Sequence, residues 1–102
     1  MILEIANLTI VEGRQAEFED TFVQACELVR GAEGFHTLEL QRSLETPNRY
    51  ALLVVWDNVE DHTEKFRGSD RYQQWRALLH GFFDGPPDVA HFRQITTFGH
   101  PQ

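Results

Sequence analysis

Histidine is the side chain in this sequence best suited to acid–base chemistry near neutral pH. The chain contains five, His36, His62, His80, His91 and His100. Their spacing does not match zinc-site patterns such as His-Glu-x-x-His, and the single cysteine adds no cluster of thiolates. The sequence also lacks a phosphate-binding glycine loop, a dinucleotide fingerprint and a Gly-x-Ser-x-Gly elbow. These patterns predict no metal, no flavin and no nucleophilic hydrolysis.

His62 has the most informative position among these histidines. A short helix predicted after Trp56 places Val59, His62 and Phe66 on one inward face. A lone histidine at such a position is most simply a hydrogen-bonded core residue. The alternative is a general base, because imidazole titrates in the range where a base is effective. Both interpretations stay open at this point.

The elements that must position His62 follow from hydrophobic periodicity. Strands are predicted at residues 2–11, 35–43, 50–56 and 89–98, and helices at 14–30 and from 58 to the Gly85-Pro86-Pro87 stop, with an interruption at Gly68. The order strand, helix, strand, strand, helix, strand gives two right-handed crossovers. The predicted fold is α+β, a ferredoxin-like βαββαβ plait with a four-stranded antiparallel sheet, in a single domain spanning residues 1–102.

The central strand predicts how the sheet is covered. Tyr50, Leu52, Val54 and Trp56 share one face, and Ala51, Leu53 and Val55 share the other, so both faces are apolar. In a chain of 102 residues the helices cover only one face. We therefore expect a second copy to cover the other face, which predicts a homodimer.

Asn7 is the strongly polar side chain in the middle of the first strand. It shares a face with Leu3, Ile5, Thr9 and Val11. One interpretation is a hydrogen bond across the sheet, and the other is an amide that points into a cavity.

Several segments, taken in order, resemble one known family. They are the first strand and turn at 7–13, the hairpin at 42–50, the junction of Trp56 with residues 60–63, the helix region 66–76 and the closing segment 82–92. From Ile2 to about Phe98 the sequence resembles the antibiotic biosynthesis monooxygenase family, whose members form dimeric α+β barrels. The family includes cofactor-independent oxygenases of phenols and quinols, as well as haem-degrading enzymes.

For a cofactor-independent monooxygenase, the chemistry of the reaction points to a set of candidate site residues. His62 is the expected base that takes the proton of a phenol, because an electron-rich phenolate can pass an electron to dioxygen. Asn7, Tyr72 and Arg76 are expected to hydrogen-bond the resulting oxyanion. The predicted ring-binding side chains are aromatic: Trp56, Phe66, Trp75 and Phe82. The predicted substrate is a phenol, a quinol or a polyketide-like aromatic.

Two other functions remain as alternatives. One is a non-catalytic dimer that binds a small hydrophobic molecule or serves in a stress response. The other is haem degradation, which the resemblance makes weaker. Asn7 matches that branch, but Phe66 replaces its tryptophan, and Arg76 lies at or beside the position of its iron-ligating histidine, with His80 one turn away.

Charge and leader patterns restrict the partners. The formal net charge is −7 and there is no Lys or Arg cluster, which argues against nucleic acid and anionic membranes. The N-terminus has no basic leader and no apolar run is long enough to span a bilayer. We therefore expect a cytoplasmic protein. The missing metal and nucleotide motifs, and the residues at the haem positions, predict that it has no cofactor.

Overall fold

A computed structural model of the chain describes residues 1–99, so His100 lies outside the described part. The strands β1 (Ile2–Thr9), β2 (Phe35–Arg42), β3 (Arg49–Trp56) and β4 (Asp88–Arg93) form one antiparallel sheet in the order β2-β3-β1-β4. The helices α1 (Gln15–Arg30) and α2 (Asp70–Leu79) pack against each other and cover one face of it. The ferredoxin-like α+β fold predicted from the sequence is confirmed.

The alternation predicted for the central strand is also confirmed. Tyr50, Leu52, Val54 and Trp56 are buried beneath the helices, and the residues between them are only half-buried. On β1, Ala6 and Leu8 are buried on the same side, opposite Leu52 and Tyr50 in the register. The two central strands therefore supply the floor of the core.

The other face of the sheet carries no helix within residues 1–99. Its centre is formed by half-buried apolar side chains from β1 and β3, namely Leu3, Ile5, Ala51, Leu53 and Val55. Phe92 of β4 lies beside Leu3 and is 52% exposed. We call this surface the open sheet face. It is the surface expected to meet a second copy.

Two predicted strands end earlier than the sequence pattern indicated. The first strand ends at Thr9 rather than at residue 11, and Ile10 forms only a single bridge with Phe83. The last strand ends at Arg93 rather than at residue 98. Arg93 is already opposite Ile2, so β1 offers no further residues with which the chain could pair. The apolar side chains of Ile95 and Phe98 are consequently exposed.

The second helical region is divided into three parts. A π-helical turn spans Asp61–Phe66, α2 follows after the Ser69 cap, and a 3₁₀ turn spans His80–Phe82. The Ser69 hydroxyl accepts a hydrogen bond from the backbone N–H of Tyr72 at 3.2 Å, which satisfies one free donor at the start of α2. No helix among residues 1–99 is long and apolar enough to cross a membrane.

Candidate active site

A cavity of about 440 Å³ lies between the sheet and the helices. This volume falls within the range of small-molecule sites in proteins. Its floor is formed by β1 and β3 side chains, and its mouth includes exposed residues such as Arg67, Arg76 and Pro86. The cavity is therefore open to solvent and is not a filled core.

Aromatic rings form one continuous wall of this cavity. The Phe66 ring lies 5.9 Å from the Trp56 ring and 6.2 Å from the Trp75 ring, and Trp75 packs edge-on against Phe22 at 5.6 Å. Tyr72 packs edge-on against Phe66 at 5.7 Å. Such a wall offers ring faces and edges to an aromatic ligand while excluding water from the interior.

His62 is held in the cavity wall by the π-helical turn. The Arg67 N–H donates to the His62 carbonyl oxygen at 3.2 Å, the wide hydrogen-bond spacing of a π-helix. At its start, the buried Asp61 carboxylate accepts a hydrogen bond from the backbone N–H of Asn58 at 3.1 Å. Gly34 makes room for this carboxylate, because at φ 78° it has no Cβ to overlap Asp61.

Glu4, which was not among the site residues predicted from the sequence, is a buried carboxylate on the cavity floor. Its side chain is 5% exposed on the helix-facing side of β1. The Trp56 indole Nε1–H donates to Glu4 Oε1 at 3.0 Å, and His62 Nε2 lies 3.4 Å from the same oxygen. Burial raises the pKa of Glu4, and the Trp56 hydrogen bond and the Arg67 charge lower it by smaller amounts.

His62 lies between Glu4 and a second histidine. Its Nδ1 is 2.8 Å from Nε2 of His91 on β4, and its ring stacks on Trp56 at 5.5 Å. Burial lowers the pKa of His62 to about 4, with the charges of Arg67 and His91 acting in the same direction. The His62 imidazole is therefore neutral at physiological pH.

The cavity brings together most of the predicted site residues. His62, Arg76, Trp56, Phe66, Tyr72 and Trp75 all line it. Phe82 is buried but packs against Phe18 at 5.8 Å, below the Arg14 guanidinium at 4.3 Å, and Phe83 lines the cavity in its place. The 3₁₀ turn at 80–82 changes the phase of the chain after α2, which explains this exchange.

Asn7 is the predicted site residue that the fold separates from the others. It is exposed on the open sheet face, because it alternates with the buried Ala6 and Leu8. Its amide therefore cannot contact a ligand in the cavity of the same chain. Of the residues compared with the haem-degrading branch, Asn7 lies on the open sheet face, whereas Phe66, Arg76 and His80 line the cavity. Among residues 1–99, no group of three or more His, Cys, Asp or Glu is arranged to hold a metal ion.

The signal that could have identified Glu4 was available in the strand pattern. Glu4 shares the even-numbered face of β1 with Ala6 and Leu8, and it lies opposite His91 in the β1–β4 register. A carboxylate on an otherwise apolar face is uncommon unless it has partners. Its partners Trp56 and His62, and His91 beyond His62, come from three separate elements, which sequence periodicity could not align.

Comparisons with known proteins agree with this architecture. The family model described as antibiotic biosynthesis monooxygenase matches residues 1–78. The uncharacterized protein YczJ of Bacillus subtilis is 47% identical over 93% of this chain and 100% of its own length. A crystal structure from Bordetella bronchiseptica, named after the same family, has 41% identity and a TM-score of 0.90, covering 93% of this chain and 97% of that chain.

A more distant structure shares the fold alone. SnoaB from Streptomyces nogalater, described as a cofactor-independent oxygenase, superimposes with a TM-score of 0.81 at 17% identity, and 97% of each chain is covered. At this identity the similarity shows how the strands and helices are arranged and does not transfer individual site residues.

Proposed function

Because the chain belongs to the antibiotic biosynthesis monooxygenase family, we propose that it is a monooxygenase that oxidises a small aromatic substrate without metal or flavin. The substrate is a phenol, a quinol or a polyketide-like aromatic bound between the sheet and the helices. The observation that carries this proposal is the solvent-connected cavity of about 440 Å³ with an aromatic wall and a polar floor. The description of SnoaB as a cofactor-independent oxygenase is consistent with it.

The substrate supplies the electrons in this reaction. A hydroxyanthrone loses a proton, and the resulting anion passes one electron to dioxygen. The two radicals combine at the ring carbon to form a C–O bond, and the peroxide takes up a proton. Cleavage of the O–O bond, with loss of the remaining hydrogen from that carbon, leaves a carbonyl and releases water. One oxygen atom stays on the product and the other becomes water.

The cavity residues support three requirements of this chemistry, namely binding of the ring, stabilisation of the anion and removal of the proton. The rings of Trp56, Phe66 and Trp75 hold a planar substrate away from water. Arg76 and Tyr72 line the same cavity, and their N–H and O–H groups stabilise an anion by hydrogen bonds. Proton removal takes place at the polar floor, where Glu4 and His62 meet.

The proposed active form is a homodimer that packs the open sheet face of one chain against that of another. Leu3, Ile5, Leu53, Val55 and Phe92 give this face an apolar centre, which a soluble protein buries in an interface. The family resemblance supports the same arrangement. The cavity lies on the opposite side of the sheet, so each chain keeps its own.

Oxygen uptake across a panel of quinols and hydroxyanthrones tests the proposed function. Val89→Trp places a large ring in the cavity from β4, and we expect it to abolish uptake. Ala77→Trp adds the same ring at an exposed position on α2 and should leave uptake unchanged. Equal activity in both variants would show that the cavity is not where the substrate reacts.

The alternative function is a dimer that binds a small hydrophobic molecule without turnover. The aromatic wall suits such a ligand equally well. The buried Glu4 carboxylate favours the oxygenase, because a binding site for an apolar molecule gains nothing from a charged group that is costly to bury. Ligand binding without oxygen uptake on any member of the panel would favour the alternative.

A further inference from the structure

The polar floor of the cavity contains a chain of three titratable side chains. Glu4 of β1, His62 of the π-helical turn and His91 of β4 lie in contact in that order. The β1–β4 register places Glu4 directly opposite His91, so the arrangement is built by the sheet itself. His62 inserts between them from the layer of helices.

Both ring nitrogens of His62 face a neighbouring polar side chain. Nδ1 faces His91 Nε2 at 2.8 Å, and Nε2 faces Glu4 Oε1 at 3.4 Å. A histidine must expose a lone pair to remove a proton from a substrate. His62 can do so only by giving up one of these contacts, so it is poorly placed to be the base.

Glu4 has an oxygen that remains available. Oε1 interacts with Trp56 and His62, and no hydrogen-bond partner for Oε2 occurs within residues 1–99. Every side-chain oxygen that is fully buried within residues 1–99 has a hydrogen-bond partner. Because Oε2 has none, it must be accessible to solvent, and Glu4 lines the cavity. A hydroxyl group in the cavity can therefore approach Oε2 without disturbing the other contacts.

We propose that Glu4 is the catalytic base that takes the hydroxyl proton of the aromatic substrate, and that His62 is the positioning residue that holds its carboxylate. This inference rests on the proposed function. The substrate O–H bond breaks, and its proton forms a bond with Glu4 Oε2. The electron pair stays on the substrate oxygen as the phenolate. The same proton returns when the peroxide is protonated.

The contacts of His62 allow two arrangements of protons along this chain. With Glu4 ionised, His62 carries its proton on Nε2 and accepts a hydrogen bond at Nδ1 from His91 Nε2–H. With Glu4 protonated through the chain, both rings carry their proton on Nδ1. The second arrangement holds one more proton than the first. This proton enters and leaves at Nδ1 of His91, which is half-buried.

The charges around Glu4 agree with this role. The cationic side chain of Arg67 favours its ionised form, and Arg76 and His80 also line the cavity. On β3 its neighbour is the neutral indole of Trp56, and on β4 it is His91. Burial is the largest effect and raises the pKa of Glu4 towards the range in which a base is effective.

Binding of para-nitrophenol tests this assignment without turnover, because absorbance distinguishes bound phenol from bound phenolate. In the wild-type protein the ionised Glu4 carboxylate accepts a hydrogen bond from the neutral phenol and repels the phenolate. Glu4→Gln removes that charge, and we expect the apparent pKa of the bound phenol to fall by about one unit or more. Glu64→Gln, an exposed change of the same charge, should leave it at the wild-type value.

The role of His62 is tested in the same titration. His62→Gln keeps an N–H group that can face Glu4, whereas His62→Leu removes it. In the wild-type protein, bound phenol is favoured over phenolate once Glu4 is ionised. In His62→Leu, Glu4 should ionise less readily, so this preference should begin at higher pH. His62→Gln should restore the wild-type titration. Identical titrations for the two variants would contradict a positioning role.

The outcomes separate this inference from the proposed function. Glu4→Gln should lower oxygen uptake by about 10²- to 10⁴-fold, the usual contribution of a positioned base. An unchanged phenol titration or full activity in Glu4→Gln would overturn the assignment of Glu4. A shifted titration without oxygen uptake by the wild-type protein would refute only the oxygenase. If para-nitrophenol does not bind the wild-type protein, the phenol site required by both proposals is absent.

Discussion

The buried position of His62 predicts how the stability of the protein responds to acid. Burial, assisted by the charges of Arg67 and His91, lowers the pKa of this side chain from 6.5 to about 4. Between these two values the unfolded chain binds a proton at His62 that the folded chain does not bind. The folded state therefore loses stability as the pH falls through this window.

The size of the effect follows from the size of the shift. One pKa unit corresponds to about 1.4 kcal/mol, so the shift of His62 from 6.5 to about 4 corresponds to about 3 kcal/mol. This contribution is fully present above pH 6.5 and is lost by about pH 4. It is a substantial part of the stability of a small domain.

Glu4 acts in the opposite direction and must be separated from His62. Its pKa is raised above the ordinary 4.5, so its stabilising contribution is present at low pH and is lost as the pH rises through the folded-state pKa. The pH dependence of stability in the wild-type protein contains the contributions of both His62 and Glu4. A comparison with a His62 variant isolates the histidine.

Urea unfolding followed by circular dichroism, at one fixed protein concentration, measures the difference directly. We expect His62→Gln to be less stable than the wild type at pH 7, because it loses the stacking on Trp56. The unfolding free energy of the wild type should fall by about 3 kcal/mol more than that of His62→Gln between pH 7 and pH 4, since glutamine has no proton to gain. His80→Gln, an exposed change, should follow the wild-type curve. Parallel curves for His62→Gln and the wild type would refute a buried neutral His62.

Three further predictions concern other parts of the structure. Asn7→Ala should leave para-nitrophenol binding unchanged, because Asn7 lies on the open sheet face; a loss of binding would mean that Asn7 reaches the cavity. Light scattering at low micromolar concentration should give a dimer for the wild type and a smaller species for Leu53→Glu, which buries a charge at the centre of the open sheet face. A wild-type monomer would contradict that interface. Haem titration should give no tight one-to-one Soret shift, and a shift that His80→Ala abolishes would restore the haem interpretation.

The fold was predictable because its signals are local and repeated. The apolar run from Tyr50 to Trp56 identified the central strand and the two sets of side chains that share its faces, and the element order then left one topology. The end of β4 was not predictable from composition. Ile95 and Phe98 have strand-like side chains, but β1 has no residues left with which they could pair.

The candidate site was predictable only in part. His62 and Phe66 were expected on one inward face from helical spacing, since residues four apart share a face, and both line the cavity. Asn7 and Glu4 were harder to place because β1 is apolar on both faces, so the pattern alone did not decide which face the helices cover. The contacts of His62 with Glu4 and with His91 depend on three elements that meet only in the folded chain.

The most direct test of the oxygenase is to follow isotopically labelled dioxygen into the product. The purified protein, treated with a metal chelator, is given a hydroxyanthrone under labelled dioxygen, and the product is analysed by mass spectrometry. The proposed reaction predicts one labelled oxygen atom in each product molecule, at a rate that Glu4→Gln and Val89→Trp both reduce and Ala77→Trp does not. Unlabelled product, or labelling at the rate of the protein-free solution, would contradict the function proposed for this cavity.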